Sequence, residues 1–337
     1  MNRFIAHTRG WWTPPASTST SRQRPPSPAR SPHDHPPGEG ALRGRPTVTF
    51  ASTKELARDA RRGGYAVPAV NIVDNVSICA AVSAADATGS PIILQTSVKT
   101  VRYFGAAVLA AAARAAAAST RVPVALHLDH CPDRDVITEA IRNGWSSVLF
   151  DASDLPFEVA RAETKAVCAE AHAAGVDVES EIENIVGVED GVGSDDPDVH
   201  FYPDDQLVMV AEETGTDLMA PALGTAHGLY SAAPDLLVDR VQRLVTLTDI
   251  PIVLHGGTGL SASEFREFIG AGVSKINIST ALKLAYMKTA RDHLEQSERT
   301  GKWEPVKLFD AIGAAVERTV TDHIWLFESA QRVGVSA

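Results

Sequence analysis

The sequence predicts a closed (β/α)8 barrel with an extra helix ahead of the first strand, helices after the last, and a disordered N-terminal tail. Three observations predict it. From Thr47 onward, short apolar β-branched runs alternate with helical patterns, the mark of repeated βα units around a parallel sheet. Eight such runs follow one another within about 250 residues, the usual size of a closed barrel rather than an open doubly wound sheet. Nearly every run is apolar along its length and then ends in a residue fit for chemistry or hydrogen bonding.

The expected strands are residues 66–71, 91–95, 122–128, 147–151, 176–181, 217–223, 250–255 and 273–277. Helical patterns fill the gaps, among them 101–118, 157–174 and 261–271, the last with Ser261 as its N-cap and Gly272 just beyond as its C-cap. Residues 53–62 and 305–327 read as added helices that cap the barrel or join subunits.

Composition sets the frame. With 337 residues, 44% of them hydrophobic and 22% charged, the chain fits one large soluble domain at 47–337 carrying a tail at 1–46. That tail holds nine of the 20 prolines with many Ser and Arg and has no helical or strand period, so it cannot bury enough apolar surface to order itself. The longest apolar candidate for a membrane span, 106–118, is interrupted by Arg114 and falls short of roughly 18 residues. Seven arginines against Asp34 and Glu39 give the tail +5 of a total of −11, so the rest carries −16 and would repel a nucleic-acid backbone. Cys79, Cys131 and Cys168 are too few and too scattered for a disulfide framework, which points to a reducing, cytoplasmic setting.

In a barrel all strand C-termini meet at one rim, where active sites of this architecture are built. The residues expected there are Asn71, Gln95 with Ser97, Asp129 with His130, Asp151, Glu181, His227, His255 and Asn277. His130, His227 and His255, with Glu181 available, describe a catalytic Zn2+ or similar divalent ion with an open position. Asp129 and His130 are adjacent and would face opposite sides of a regular strand, so both can reach one site only if the strand ends there, as the following Cys131-Pro132 suggests. His127 is expected as a packed or hydrogen-bonded barrel histidine, and His172, His200 and His293 as solvated ones. The segment His255-Gly256-Gly257-Thr258-Gly259 and the segment Asn277-Ile278-Ser279-Thr280 each open a helix, so their backbone N–H groups favour a phosphate. Lys275 lies within a strand, with structural pairing as its expected role.

The motifs Gly63-Gly64-Tyr65-Ala66-Val67-Pro68-Ala69-Val70-Asn71, His127-Leu128-Asp129-His130-Cys131, Gly224-Thr225-Ala226-His227-Gly228, Leu254-His255-Gly256-Gly257-Thr258-Gly259-Leu260 and Lys275-Ile276-Asn277 resemble, in order and spacing, those of the class II fructose-bisphosphate and tagatose-bisphosphate aldolases. The resemblance runs from about Ser52 to Ala330. It implies reversible cleavage of a ketose phosphate, such as fructose or tagatose 1,6-bisphosphate, to dihydroxyacetone phosphate and an aldehyde such as glyceraldehyde 3-phosphate. It implies His130, His227 and His255 on a divalent ion, usually zinc, with Glu181 near it, Asp129 as the base, and Glu189 as a loop glutamate that moves the proton at the nucleophilic carbon. It places the ketose phosphate on Gly228, Gly256, Thr258, Ser279 and Thr280, with Asn277 beside the reacting carbons, Asn71, Gln95 and Ser97 on the same rim, and a monovalent cation, Na+ or K+, near the phosphate. A homodimer or homotetramer is the implied assembly.

Two departures stand out. Where many members of that family read Glu-Leu-Gly, this chain reads Glu181-Ile182-Glu183, followed by Asn184 and Val186 before Gly187, and non-glycine residues resist positive φ. Where the family often carries an Asp-Pro-Arg segment whose arginine clamps the distal phosphate, this chain reads Glu304-Pro305-Val306-Lys307, which predicts weaker or altered selection for a bisphosphate. Other readings of the same barrel are an aldolase for a different ketose 1-phosphate, a non-catalytic sugar-phosphate binder, and a metal-dependent hydrolase, which commonly needs an H-x-H at the first strand that residues 67–71 lack.

Overall fold

The computed structural model describes residues 49–185, 187–189, 192–194, 201–228 and 234–333. The tail predicted at 1–46 lies outside them. Ten strands occur among the described residues: β1 (Val67–Asn71), β2 (Ile92–Ser97), β3 (Val124–Cys131), β4 (Ser147–Asp151), β5 (Asp177–Glu181), β6 (Gly187–Glu189), β7 (Val192–Ser194), β8 (Leu218–Met219), β9 (Ile252–Leu254) and β10 (Val273–Ile278). Eight of them close a barrel in the order β1-β10-β9-β8-β5-β4-β3-β2, every pairing parallel, while β6 and β7 form a separate antiparallel ribbon between β5 and β8 in sequence.

The helices are α1 (Thr53–Gly63), α2 (Asn75–Thr88), α3 (Val98–Phe104), α4 (Ala106–Ala117), α5 (Arg134–Arg142), α6 (Phe157–Ala173), α7 (Asp204–Thr214), α8 (Val238–Leu247), α9 (Ala262–Ala271), α10 (Thr280–Thr300) and α11 (Pro305–Leu326). Ser261 caps α9 through a reciprocal box with Glu264, and Gly272 ends it, as the sequence predicts. The single helix expected over 101–118 is two, because Gly105 stands at φ 87°, ψ 138°, outside helical space. The strand expected over 217–223 is paired only at Leu218–Met219, since Pro221 has no N–H for the ladder.

Two apolar layers hold the barrel. The larger lies between strands and helices, for example Val70, Leu94, Leu126, Val148, Val178 and Ile276 against Ala81, Ala110, Ile137 and Val167. The second fills the lower interior, where α1 turns Leu56, Ala57 and Ala60 inward against Val67, Ala69, Ile93, Ala125 and Val253. α1 thus plugs one end of the barrel. Above that plug the interior becomes polar: Thr53 Oγ1 meets Ser147 Oγ at 2.6 Å, and Ser147 Oγ meets His127 Nδ1 at 2.7 Å. The buried polar layer ends at the opposite rim, which is left open for chemistry.

The departure at Glu183 has a structural cause. Its carboxylate is fully buried and receives both Nη atoms of Arg240 at 2.8 Å, together with the backbone N–H groups of Tyr202 at 2.8 Å and Ala222 at 2.9 Å. Arg240 Nε continues to Asp204 Oδ1 at 2.9 Å. One ion cluster therefore fastens the exit of β5, the start of α7, the exit of β8 and α8. None of Ile182, Glu183 and Asn184 takes a positive φ, and Val186 lies outside the described residues.

Breaking this cluster leaves a charge stranded in the interior. Arg240→Ala is expected to destabilise the protein by about 3–5 kcal/mol, read as a lowered urea midpoint. Arg62→Ala, on the exposed face of α1, should leave the midpoint in place; equal midpoints for both variants would contradict the assignment.

Candidate active site

β3 supplies two adjacent site residues, and how it does so differs from the sequence expectation. The strand does not stop at His130: Cys131 still pairs with Phe150 of β4. Instead the register shifts between Leu128 and Cys131, and His130 takes φ 40°, a left-handed value rare for a residue with a Cβ. That local twist cancels the alternation of faces and turns Asp129 and His130 toward one site. A conformation of this kind costs of order 1–3 kcal/mol and persists because the surroundings hold it.

His130, Glu181, His227 and His255 come together at the rim, all buried, with one potential ligand atom from each within 4.8 Å of the others. The ring centroids of His130 lie 4.9 Å from His227 and 4.7 Å from His255. Around a tetrahedral zinc ion, neighbouring ligand atoms are roughly 3.3 Å apart, within side-chain rotation of this spread.

The hydrogen bonds say which atoms face inward. His130 Nδ1 donates to Asp151 Oδ2 at 3.0 Å, which leaves its buried Nε2 without a partner. His255 Nε2 donates to Glu179 Oε1 at 2.9 Å, which leaves Nδ1 as a lone pair directed at Glu181 Oε2, 3.1 Å away. Neither of these two atoms has a hydrogen-bond partner. An imidazole lone pair and a carboxylate oxygen facing each other out of water require a cation between or beside them. Burial pushes both imidazoles down; for His130 the carboxylates of Glu181, Asp129 and Asp151 outweigh it and raise the pKa well above the ordinary histidine value. For His255, Glu179 and Glu181 do the same. A proton or a metal ion answers the same deficit. The donor set, three imidazoles and a carboxylate, with His130 and His255 each fixed by an outer carboxylate, fits a divalent ion.

Asp129 sits beside this group inside a cage of amides. Asn71 Nδ2 donates to Oδ2 at 2.8 Å, Gln95 Nε2 to Oδ2 at 3.2 Å and Asn277 Nδ2 to Oδ1 at 3.3 Å. Gln95 Nε2 also donates to Asn71 Oδ1 at 2.7 Å. Lys275 Nζ donates to Asn277 Oδ1 at 2.8 Å, and because a lysine only donates, it turns the Asn277 amide so that its NH2 faces Asp129.

Beneath lies a fully buried ion pair, Lys275 Nζ to Glu179 Oε2 at 2.8 Å. Burial alone would raise the Glu179 carboxyl, yet the Lys275 ammonium and the His255 hydrogen bond hold it far below the usual carboxylate range. His127 is hydrogen-bonded to Ser147, and burial with the Lys275 charge drives its pKa well below the ordinary value, so it stays neutral. His172 is not simply solvated: its Nε2 lies 2.7 Å from Asp217 Oδ2.

The glycine-bearing loops leave neighbouring strands β8, β9 and β10 and pack against one another. A Cβ placed on Gly256 would stand 2.5 Å from the Ala226 carbonyl oxygen, so only glycine allows this approach of the His255 and His227 loops. Ser279 precedes α10 with its hydroxyl buried and unpartnered, Thr280 opens that helix, and Gly228 and Thr258 lie half-buried in the adjoining loops. Ser97 is buried at the junction of β2 and α3. Glu189 falls in β6, opposite Val192; its side chain lies outside the described residues.

The family model described as "Fructose-bisphosphate aldolase class-II" matches residues 51–332. The chain belongs to the class II fructose-bisphosphate aldolase family. Among solved structures, this family member is similar to a Coccidioides immitis protein assigned as a fructose-1,6-bisphosphate aldolase, at 27% identity and TM-score 0.76 over 82% of this chain and 96% of that one. It is equally similar in sequence, 27%, to the YdjI aldolase of Escherichia coli K12, with TM-score 0.73 over 85% of this chain and 100% of the other. The fructose-bisphosphate aldolase of Campylobacter jejuni, at 21% identity and TM-score 0.72, shares the fold.

Two residues of this class II chain escaped the sequence reading. Asp151 was expected at the rim without a role, and Glu179 was not singled out. Glu179 had a signal: it stands two residues before Glu181 on β5 and so shares its inward face. Both orient a histidine of the cluster, and outer partners of this kind typically carry 10–100-fold in metal affinity. Asp151→Asn and Glu179→Gln are therefore expected to weaken Zn2+ binding 10–100-fold, measured by competition with a chelating dye. Unchanged affinity in both would detach these carboxylates from the cluster.

Proposed function

We propose that this family member is a metal-dependent aldolase that reversibly cleaves a ketose 1-phosphate or 1,6-bisphosphate to dihydroxyacetone phosphate and an aldehyde. The observation that carries the proposal is the juxtaposition at one rim of an imidazole and carboxylate cluster with unpartnered inward-facing atoms and an aspartate in an amide cage. His130, His227 and His255, with Glu181 beside them, would hold the ion, zinc being the expected one. When bound, a divalent cation supplies a Lewis acid at the ketose carbonyl and its neighbouring hydroxyl.

The protein's own groups do the rest. Asp129 takes the proton from the hydroxyl of the departing aldehyde half in cleavage and returns it in condensation. Asn71, Gln95 and Asn277 keep that carboxylate aimed and its oxygens hydrogen-bonded. The Lys275–Glu179 pair is committed to holding Asn277 and His255, so Lys275 serves no Schiff base. Gly228, Gly256, Thr258, Ser279 and Thr280 receive the 1-phosphate through backbone N–H groups and hydroxyls at a helix start, with a monovalent cation, Na+ or K+, beside it. Glu189 moves the proton at the nucleophilic carbon. Ser97 completes the rim. The working assembly is a homodimer or homotetramer in the cytoplasm, and among the described residues no helix is long and apolar enough to cross a membrane.

The C-terminal segment supports a reduced demand for a second phosphate. Val306 is an exposed residue in the first turn of α11, and Lys307 is engaged with Asp310 on its own helix at 3.1 Å. The test is release of dihydroxyacetone phosphate from a panel of fructose and tagatose phosphates, with and without EDTA. Release should be abolished by EDTA and restored by Zn2+, and Asp129→Asn should lower kcat by roughly 10²–10⁴-fold. Release that EDTA leaves intact, or that Asp129→Asn retains in full, would refute the assignment.

A further inference from the structure

A pocket of ≈ 360 Å³ opens at the edge of the rim beside Asn71, at the lower end of the roughly 300–1,000 Å³ that ligand sites occupy. Its walls come from the exit of β1, the start of α2, the end of α3, α10 and α11. Asn71 joins it to the site already described: the same side chain lines the pocket and donates to Asp129 Oδ2 at 2.8 Å. The pocket thus begins one residue away from the carboxylate that handles the aldehyde oxygen.

Its lining is chemically one-sided. Val73, Phe104, Leu282, Met287 and Val316 supply the walls. The polar members are occupied with one another: Asp74 Oδ1 accepts from the Ser77 N–H at 2.9 Å and Asp74 Oδ2 from the Tyr286 hydroxyl at 2.7 Å. Ser77 Oγ accepts from the N–H groups of Val73 and Asp74 at 2.9 and 3.0 Å. Among the described residues of the lining Lys283 is the one cation and Asp74 the one carboxylate. A phosphate dianion seated here would lose its hydration against hydrocarbon with a carboxylate nearby, which is unfavourable. An alkyl chain would lose nothing and would bury apolar surface on both sides.

We propose that this pocket receives the carbon chain of the aldehyde half, and that it selects a neutral, alkyl-terminated aldehyde over a phosphorylated one. The proposal rests on the aldolase reading above and adds the chemical class of the second substrate. In condensation the new carbon–carbon bond forms at the aldehyde carbon, the proton that neutralises its oxygen comes back from Asp129, and the substituent on that carbon extends past Asn71 into the pocket.

The experiment uses the full chain loaded with Zn2+ and follows consumption of dihydroxyacetone phosphate with butanal or with glyceraldehyde 3-phosphate as acceptor. The expected result is a kcat/KM at least about tenfold higher for butanal, the scale on which a few apolar contacts discriminate. Met287, 65% exposed at the pocket's edge, tolerates a charge without loss of fold. Met287→Arg should therefore lower kcat/KM for butanal about tenfold and leave the KM for dihydroxyacetone phosphate where it was. A preference for glyceraldehyde 3-phosphate that Lys283→Met removes would overturn the proposal and make the pocket a phosphate subsite. Butanal turnover indifferent to Met287→Arg would overturn it too, since the pocket would then face something other than the aldehyde. Consumption of neither acceptor would refute the aldolase reading itself, a result distinguishable from the other two because both of those retain turnover.

Discussion

A sheet whose strands all run the same way can close only by placing every strand's C-terminal end on one rim, and everything chemical in this protein depends on that constraint. Asn71, Asp129, Glu181, His255 and Asn277 span more than half the sequence, yet each lies within the last three residues of its strand or is the first beyond it. The helices need not know about the chemistry. They cover the outer face of the sheet, while α1 plugs the far end and leaves a single opening.

Within that opening the decisive balance is electrostatic. Four carboxylates, Asp129, Asp151, Glu179 and Glu181, are buried together, and among the described residues Lys275 is the one fixed cation set with them. The remaining negative charge falls on histidines that must take up a proton or share a metal ion. The same balance explains why amides, rather than more charges, surround Asp129. They donate hydrogen bonds that aim the carboxylate without placing a positive charge against it. A second, separate balance at Glu183 and Arg240 fixes the loop exits and leaves the cluster at the rim undisturbed.

Much of this was legible in the sequence, and the reasons for the rest are physical. The strands were readable because parallel strands buried on both faces appear as short apolar runs, and the rim residues because each run ended in a polar side chain. What periodicity cannot express is a break in periodicity. The φ of His130 and the division of one helix at Gly105 depend on backbone angles, and only the glycine leaves a trace in the sequence. The strand ending at Met219 was overestimated because an apolar run does not say where pairing stops, although Pro221 offered a hint. Glu179 and Asp151 went unassigned because a residue that acts through a histidine looks, in one dimension, like any buried acid. The departure at Glu183, read only as a non-glycine residue resisting positive φ, is a fastening whose partner, Arg240, lies 57 residues away. Glu189 belongs to the part of the chain whose side chains the structure does not describe.

The close approach of Gly256 to the Ala226 carbonyl divides the barrel into two kinds of ground. At Gly256 no side chain larger than hydrogen fits, so that position is closed to substitution. On the helical wall Met287, 65% exposed, meets no such prohibition, and its side chain can be exchanged without moving backbone. A lineage built on this scaffold can therefore explore new acceptors one residue at a time along the helices while its reaction stays the same.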